Sequence, residues 1–338
     1  MRKQKNNFLK NNQVNIEIQD LVNQNKFSEA ISSLFEKQKK DGRLLKDGLD
    51  ALNEIRTNKF LFNGYEIHTQ YNPRRITSTA ANVSTYAIKN RKCFLCNENL
   101  PEGQEGIVYR GKYLILFNPY PIFPGHLTIS SSEHKPQRIK NSFSDMLLLN
   151  KDFSDFTIIY NGPESGASAP DHLHFQACRK NFLPINNNYD NLKNAYGEEL
   201  LNNKVSVFSV NDGIRKFFLI ESHSSNYLVK TFQKIYNLYS LISKSHAEPM
   251  INILSSFDGG TGWRVIIFFR KKHRPDAYFK EDDSKLLVSP ASIDLGGVLI
   301  MPREKDFKKI NKEIITHILR EVSMGKEAFE YLKTKLKE

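Results

Sequence analysis

The sequence predicts an α+β fold in which one antiparallel frame is laid down twice, preceded by a helical extension. Three observations predict it. Short runs rich in β-branched and aromatic residues come in pairs around tight-turn residues. Helical periodicity interrupts these runs once in each half. The order of hairpin, helix and closing strand occurs in residues 61–190 and again in 191–338. With 338 residues, 39% hydrophobic and 11% aromatic, the chain can build a large core.

Residues 1–60 are polar and show helical periodicity around Ile16–Gln38 and Leu44–Ile55; they are expected to form an N-terminal helical extension. The first half includes QYNPRR, which ends at Arg75, and a polar stretch leading to CFLC. IVYRG and KYLILFN form a hairpin around Arg110–Gly111, and HLTIS follows as a third strand. A helix is expected over Pro136–Asn150. DFTIIYNG is a strand, PESGASAPD a small polar loop, and HLHFQAC a strand again. In the second half Leu228, Phe232, Ile235, Tyr239 and Ile242 recur on one helical face. MINILSSF and WRVIIFFR flank the turn DGGTG. LLVSP and LGGVLIMP add strands, and one long helix is expected over Lys305–Lys335. Trp263 is expected to pack in this half.

The formal charge is +12 and the pI about 9.4, a field that attracts polyanions such as nucleotides. No basic stripe is interleaved with aromatics, so nucleic acid is not expected as a partner. No run approaches the roughly 18 apolar residues of a membrane span. The start, MRKQKNNFLKNN, has no apolar centre and does not read as a signal peptide. A cytoplasmic protein is expected. Of its three cysteines, Cys93 and Cys96 form a C-x-x-C pair, which in a reducing compartment points to metal or redox chemistry. No strand–C-x-x-C–helix context supports a redox role.

The chemistry concentrates in HLHFQAC. Side chains alternate along a strand, so His172, His174 and Gln176 share one face while Leu173, Phe175 and Ala177 point into a core. Two imidazoles and an amide in a row form a polar platform of phosphate size. The preceding NGPESGASAP brings Asn161, Gly162, Gly166 and Ser168, whose backbone N–H groups and hydroxyl can hold anionic oxygens.

GPESGASAPDHLHFQA resembles the active-site signature of the transferase branch of the histidine-triad superfamily, which includes galactose-1-phosphate uridylyltransferase, diadenosine tetraphosphate phosphorylase and GDP-L-galactose phosphorylase. FNPYPIFPGHLTISSSEH and SPASIDLGGVLIMP resemble further segments of the same family, and the resemblance spans roughly residues 65–305. It implies a duplicated histidine-triad-like (HIT-like) fold and a nucleotidyltransferase or phosphorylase. His174 would be the nucleophile that forms a covalent nucleotidyl-histidine. Its other nitrogen would need an acceptor such as a backbone carbonyl. Gln176 stands where the hydrolase branch has a third histidine; an amide can donate to phosphate but cannot act as an acid.

Asn161, Gly166 and Ser168 match family positions that contact phosphates. Asn118 stands in place of a ribose-contacting acid. Arg75, or its neighbour Arg74, resembles an arginine near the nucleotide. Asp171 is a departure, because uridylyltransferases carry proline before the first histidine. In zinc-bearing members the C-x-x-C pair is completed by two histidines, here His134 and His172; His126 competes. The resemblance therefore implies a structural zinc held by Cys93, Cys96, His134 and His172.

The implied partners are a nucleotide-sugar or dinucleotide with phosphate or sugar phosphate, and either a monomer or a homodimer is compatible. The competing functions are a triad-type nucleotide hydrolase and a non-catalytic nucleotide-binding protein. His68, His223, His246, His273 and His317 are read as surface or satisfied core histidines, and Cys178 is given no role.

Overall fold

A computed structural model describes residues 14–41, 43–243, 245 and 248–338. The basic start of the chain and His246 lie outside the described residues. The strands are β1 (Arg56–Leu61), β2 (Glu66–Tyr71), β3 (Gly106–Tyr109), β4 (Tyr113–Phe117), β5 (Leu127–Ser131), β6 (Phe156–Asn161), β7 (His174–Arg179), β8 (Gly197–Asn202), β9 (Ser206–Asn211), β10 (Lys216–Ser222), β11 (Ile251–Asp258), β12 (Gly262–Phe269) and β13 (Val298–Met301). The chain divides into two compact units.

The first unit holds the described residues before Ile55 together with Asn82–Gln137 and Ala169–Cys178. Its strands run β3-β4-β5-β7, each antiparallel to the next. Arg110 and Gly111 turn the first hairpin with φ of 51° and 64°. Such turns match the twist of the strands, although a left-handed arginine carries strain that glycine does not. Ile115 pairs with Ile129 and Ile129 with Phe175, all buried, which gives the sheet a continuous apolar row.

Three N-terminal helices, Ile16–Asn23, Phe27–Asp41 and Arg43–Ala51, belong to this unit. The first expected helix is split, and Asn25 turns the chain with a φ of 60°. The side chain of Gln19 accepts from the N–H of Val108 and donates to its carbonyl, both at 2.9 Å. It thereby satisfies a backbone pair of β3 that the ladder leaves over. Phe35 packs on Phe117 with ring centroids 5.1 Å apart.

The second unit holds residues Ile55–Ala81, Arg138–Ser168 and Arg179–Glu338. Six strands run in the order β6-β11-β12-β10-β9-β8, and β1-β2-β13 form a separate sheet with β13 parallel to β2. The run β8-β9-β10-β12 repeats the order of β3-β4-β5-β7 in the first unit, so the duplicated antiparallel frame is present as predicted. Between β10 and β11 the helix Ser225–Ile242 buries Leu228, Phe232, Ile235, Tyr236 and Tyr239. Its last residue, Ile242, is exposed, contrary to the periodicity. Trp263 is buried, and its indole N–H donates to the Leu147 carbonyl at 3.0 Å.

Some expectations need correction. The expected helix over Pro136–Asn150 runs over Phe143–Asp152. LLVSP is buried irregular chain, not a strand, and LGGVLIMP joins the small sheet as β13. The long C-terminal helix is three helices, Glu304–Lys309, Lys312–Val322 and Lys326–Lys337. Asn311 breaks it by accepting the N–H of Ile314, which starts a new helix. Among the described residues no helix is long and apolar enough to cross a membrane.

Candidate functional site

His174 opens β7, where it pairs with Ser130, and is 4% exposed. Its Nδ1 lies 2.8 Å from the carbonyl oxygen of His172. A carbonyl only accepts, so Nδ1 carries the proton and Nε2 keeps the lone pair. Nε2 makes no hydrogen bond among the described residues. Burial holds the imidazole down to about 4, against the opposing pull of the His172 carbonyl. The ring is therefore neutral near pH 7.

The His174 backbone is clamped by Gln137, a buried residue that no local motif singles out. Its Oε1 accepts the His174 N–H at 2.7 Å, and its Nε2 donates to the His174 carbonyl at 3.0 Å. Gln176 pairs opposite Thr128 and is half-buried. Asn118 donates to Thr128 Oγ1 at 3.1 Å and accepts the N–H of Tyr120 at 2.9 Å. Its oxygen thus closes a local turn. Phe175 and Ala177 are fully buried, as the alternation requires, and on the other face His172 and His174 are buried as well.

In the same unit Cys93, Cys96, His134 and His172 come together, with their four ligand atoms all within 4.8 Å of one another. Cys93 Sγ lies 3.3 Å from His172 Nδ1, Cys96 Sγ lies 3.2 Å from His134 Nδ1, and Cys96 Sγ lies 3.6 Å from His172 Nδ1. Tetrahedral zinc with bonds of about 2.0–2.3 Å requires edges of about 3.3–3.8 Å; the three short separations lie close to that range and the donor types suit the ion, while the widest separation, up to 4.8 Å, would have to close on binding. His172 Nε2 donates to the Ser131 carbonyl at 2.7 Å, which leaves Nδ1 as the free donor atom.

Asp171, the departure noted in the motif, ion-pairs with Arg91 at 3.0 Å and lies 3.8 Å from the outer nitrogen of His134. His126 is not in the cluster; its Nδ1 accepts the N–H of Ile122. Burial, then the neighbouring Cys93, pushes the Cys96 thiol up to about 12. A divalent cation reverses that preference.

The loop residues lie in the second unit. Asn161 ends β6 and is buried, and its Oδ1 accepts from Asn252 Nδ2 (2.7 Å), Ser292 N–H (2.9 Å) and Ser292 Oγ (2.7 Å). Gly166 has a φ of 99°, and a Cβ there would lie 2.7 Å from Ala291 Cβ, so this position requires glycine. Ser168 is half-buried at the end of the segment. Arg75 is half-buried in the short turn Pro73–Arg75, whereas Arg74 is exposed. Burial brings the Arg75 guanidinium down to about 10, and Asp294 opposes that shift. Sequence reasoning missed Asn252, Ser292 and Arg270 around this loop; each meets it from 87 to 131 residues away.

Among the other histidines, His68 contacts Glu66 at 2.9 Å and His273 is mostly buried, held down to about 3 by burial and by Arg270 and Arg274. Cys178 is buried and its thiol is raised by burial.

Residues 34–179 match a domain of unknown function, DUF4922, and residues 188–338 match the GDPGP1-like C-terminal domain. No curated protein matches the chain by sequence. Among solved structures, yeast Ap4A phosphorylase Apa2 is similar with a TM-score of 0.58 and 17% identity, over 90% of this chain and 98% of that one. The same yeast enzyme in complex with AMP gives 0.59 and 16%, over 88% and 95%. In complex with Ap4A it gives 0.57 and 16%, over 88% and 97%. At these identities the likeness establishes architecture. The chain has the fold of the yeast Ap4A phosphorylase, and its residues 188–338 match the GDPGP1-like C-terminal domain.

Proposed function

We propose that the protein is a nucleotidyltransferase of the phosphorylase type, acting on a nucleoside-diphosphate sugar or a dinucleotide. One observation carries the reading: His174 has its Nδ1 proton committed to the His172 carbonyl, while Nε2 is unpartnered among the described residues. That is the state of a nitrogen nucleophile ready to attack phosphorus. Nε2 forms a bond to the α-phosphorus, and the bond from that phosphorus to the leaving phosphate or sugar phosphate breaks. An oxygen of inorganic phosphate or a sugar phosphate then attacks the same phosphorus and releases His174.

Gln176 donates its amide N–H to a phosphate oxygen and supplies no proton to a leaving group, which favours transfer over hydrolysis. Asn161, Gly166 and Ser168 hold phosphate oxygens, Asn118 meets the ribose, and Arg75 faces the nucleotide's charge. Cys93, Cys96, His134 and His172 hold a structural zinc in a reducing, cytoplasmic setting. Bound there, the ion supplies no acid or nucleophile; it fixes His172, whose carbonyl orients His174.

The test is intact-mass analysis of the protein mixed with GDP-, UDP- and ADP-sugars and with dinucleotides. One of them should add a single nucleotidyl mass, His174→Asn should prevent it, and phosphate should discharge it as a nucleoside diphosphate. Steady nucleoside-monophosphate release without phosphate would mark a hydrolase instead. Tight binding with neither adduct nor turnover would mark a binding protein.

A further inference from the structure

Arg270 follows β12 directly and is 1% exposed. Its guanidinium donates to the carbonyls of Pro290 (2.6 Å), His273 (2.5 Å), Lys272 (3.0 Å) and Ser165 (3.3 Å), and to Asn252 Oδ1 (3.2 Å). All five acceptors are neutral. Burial brings the guanidinium down to about 10, partly opposed by the charge of Asp294, so it stays cationic at neutral pH. Taking a charge out of water to meet only carbonyl groups is costly, and hydrophobic packing would cross-link the same segments at less cost.

The Ser165 carbonyl has a second holder. Asn252, fully buried on β11, donates Nδ2 to it at 2.8 Å and to Asn161 Oδ1 at 2.7 Å. In a trans peptide the C=O and the following N–H point in opposite directions, and the described chain has no cis bond. Fixing the Ser165 oxygen toward Arg270 and Asn252 therefore turns the Gly166 N–H away from them. That N–H makes no hydrogen bond among the described residues. A cationic donor on the carbonyl also polarises the peptide and strengthens its N–H as a donor.

We infer that Arg270 and Asn252 are positioning residues, which aim the Gly166 N–H outward to receive a phosphate oxygen of the substrate. The inference rests on the phosphate-holding reading of the loop given above and adds what holds the donor in place. It also gives the half without histidines on its strands a direct part in substrate binding: β11 and the end of β12 supply the two braces.

The chain has a single Ser–Gly dipeptide, Ser165–Gly166. Protein made cell-free with carbonyl-13C serine and 15N glycine therefore gives one amide resonance in a carbonyl-selected spectrum. Inorganic phosphate, AMP and GMP are titrated against it, with adenosine and guanosine as phosphate-free controls. Phosphate or a nucleotide should move this resonance saturably in the wild type. In Arg270→Lys and Asn252→Ala the movement should be lost and nucleotide affinity should fall about tenfold, with nucleoside affinity unchanged. The other glycine amides report whether each variant is folded.

A wild-type resonance that stays still under all three probes overturns the inference. So does one that moves equally in a folded variant, or a variant that loses nucleoside and nucleotide affinity alike. Absence of any adduct at His174 would remove the proposed transfer chemistry, while the phosphate titration would still decide the cradle.

Discussion

One carboxyl group should make the second unit weaken as the pH rises through neutrality. Glu248 is 1% exposed, and its Oε1 accepts the Ile139 N–H at 2.7 Å while its Oε2 bonds the Tyr160 hydroxyl at 2.6 Å. Tyr236 and Arg138 also act on it. Burial pushes the group from 4.5 to about 7, over the opposing pull of these partners. The folded state keeps a proton that the unfolded chain gives up, so the contribution is fully present below 4.5 and is lost as pH rises through about 7. Across that span, at about 1.4 kcal/mol per pH unit, the loss is about 3 kcal/mol.

The assay is urea unfolding of wild type and Glu248→Gln at pH 5, 7 and 8.5. The stability of the amide variant relative to wild type should rise by about 3 kcal/mol from the lowest pH to the highest. Asp294, raised to about 6, and His273, held down to about 3, are present in both proteins and cancel in the difference. Parallel stability curves would refute the reasoning. A Cβ on Gly162 would lie 3.4 Å from Glu248 Oε2, so the carboxyl abuts the start of the loop that holds Gly166.

Three other outcomes are expected. Purified protein should hold one zinc per chain by elemental analysis; chelation or Cys96→Ser should lower the thermal midpoint and slow nucleotidylation of His174 by about 10–100-fold, and full activity with no metal would end the zinc reading. Gly166→Ala should cost about 2–4 kcal/mol in denaturant unfolding, from a φ of 99° and a methyl forced to 2.7 Å from Ala291 Cβ. Arg215→Met should cost about 3–5 kcal/mol by the same measurement, because it strands the buried carboxylate of Asp212, now bonded at 2.6 Å.

What could be read in the sequence follows from the range of the interactions involved. β4, β6, β11 and β12 are apolar enough to announce themselves locally. The Cys93–Cys96 pair is legible from its C-x-x-C spacing, and Cys93, Cys96, His134 and His172 lie together in the fold. β8 escaped notice: GEELLN buries one residue in six and reads as polar helix. The breaks at Asn311 and Gly325 were masked because the apolar period continues across them, although Asn311 is a standard cap residue. LLVSP is apolar because tertiary packing buries it, which a strand pattern imitates. The clamp of Gln137 on His174 and the brace of Arg270 on Ser165 span 37 and 105 residues. Neither leaves a local mark, because any polar side chain can make such bonds once the fold delivers it.

The strand order of the first unit recurs in the second, yet β12 carries no histidine where β7 begins with His174. A second frame with no histidine on its strands would be expendable if it served only to fill a sheet. The polar contacts of the loop argue otherwise. Asn161 Oδ1 receives all three of its described hydrogen bonds from residues of the C-terminal half, and the Ser165 carbonyl receives both of its own from there. Removing those donors would leave two buried acceptors unpaired, at about 1–3 kcal/mol each, beside a backbone that must hold a φ of 99° at Gly166. A loop with buried acceptors and a left-handed glycine cannot hold that shape by local propensity alone. The second frame supplies the constraint: Asn252 on β11 and Arg270 at the end of β12 brace the loop through the Ser165 carbonyl.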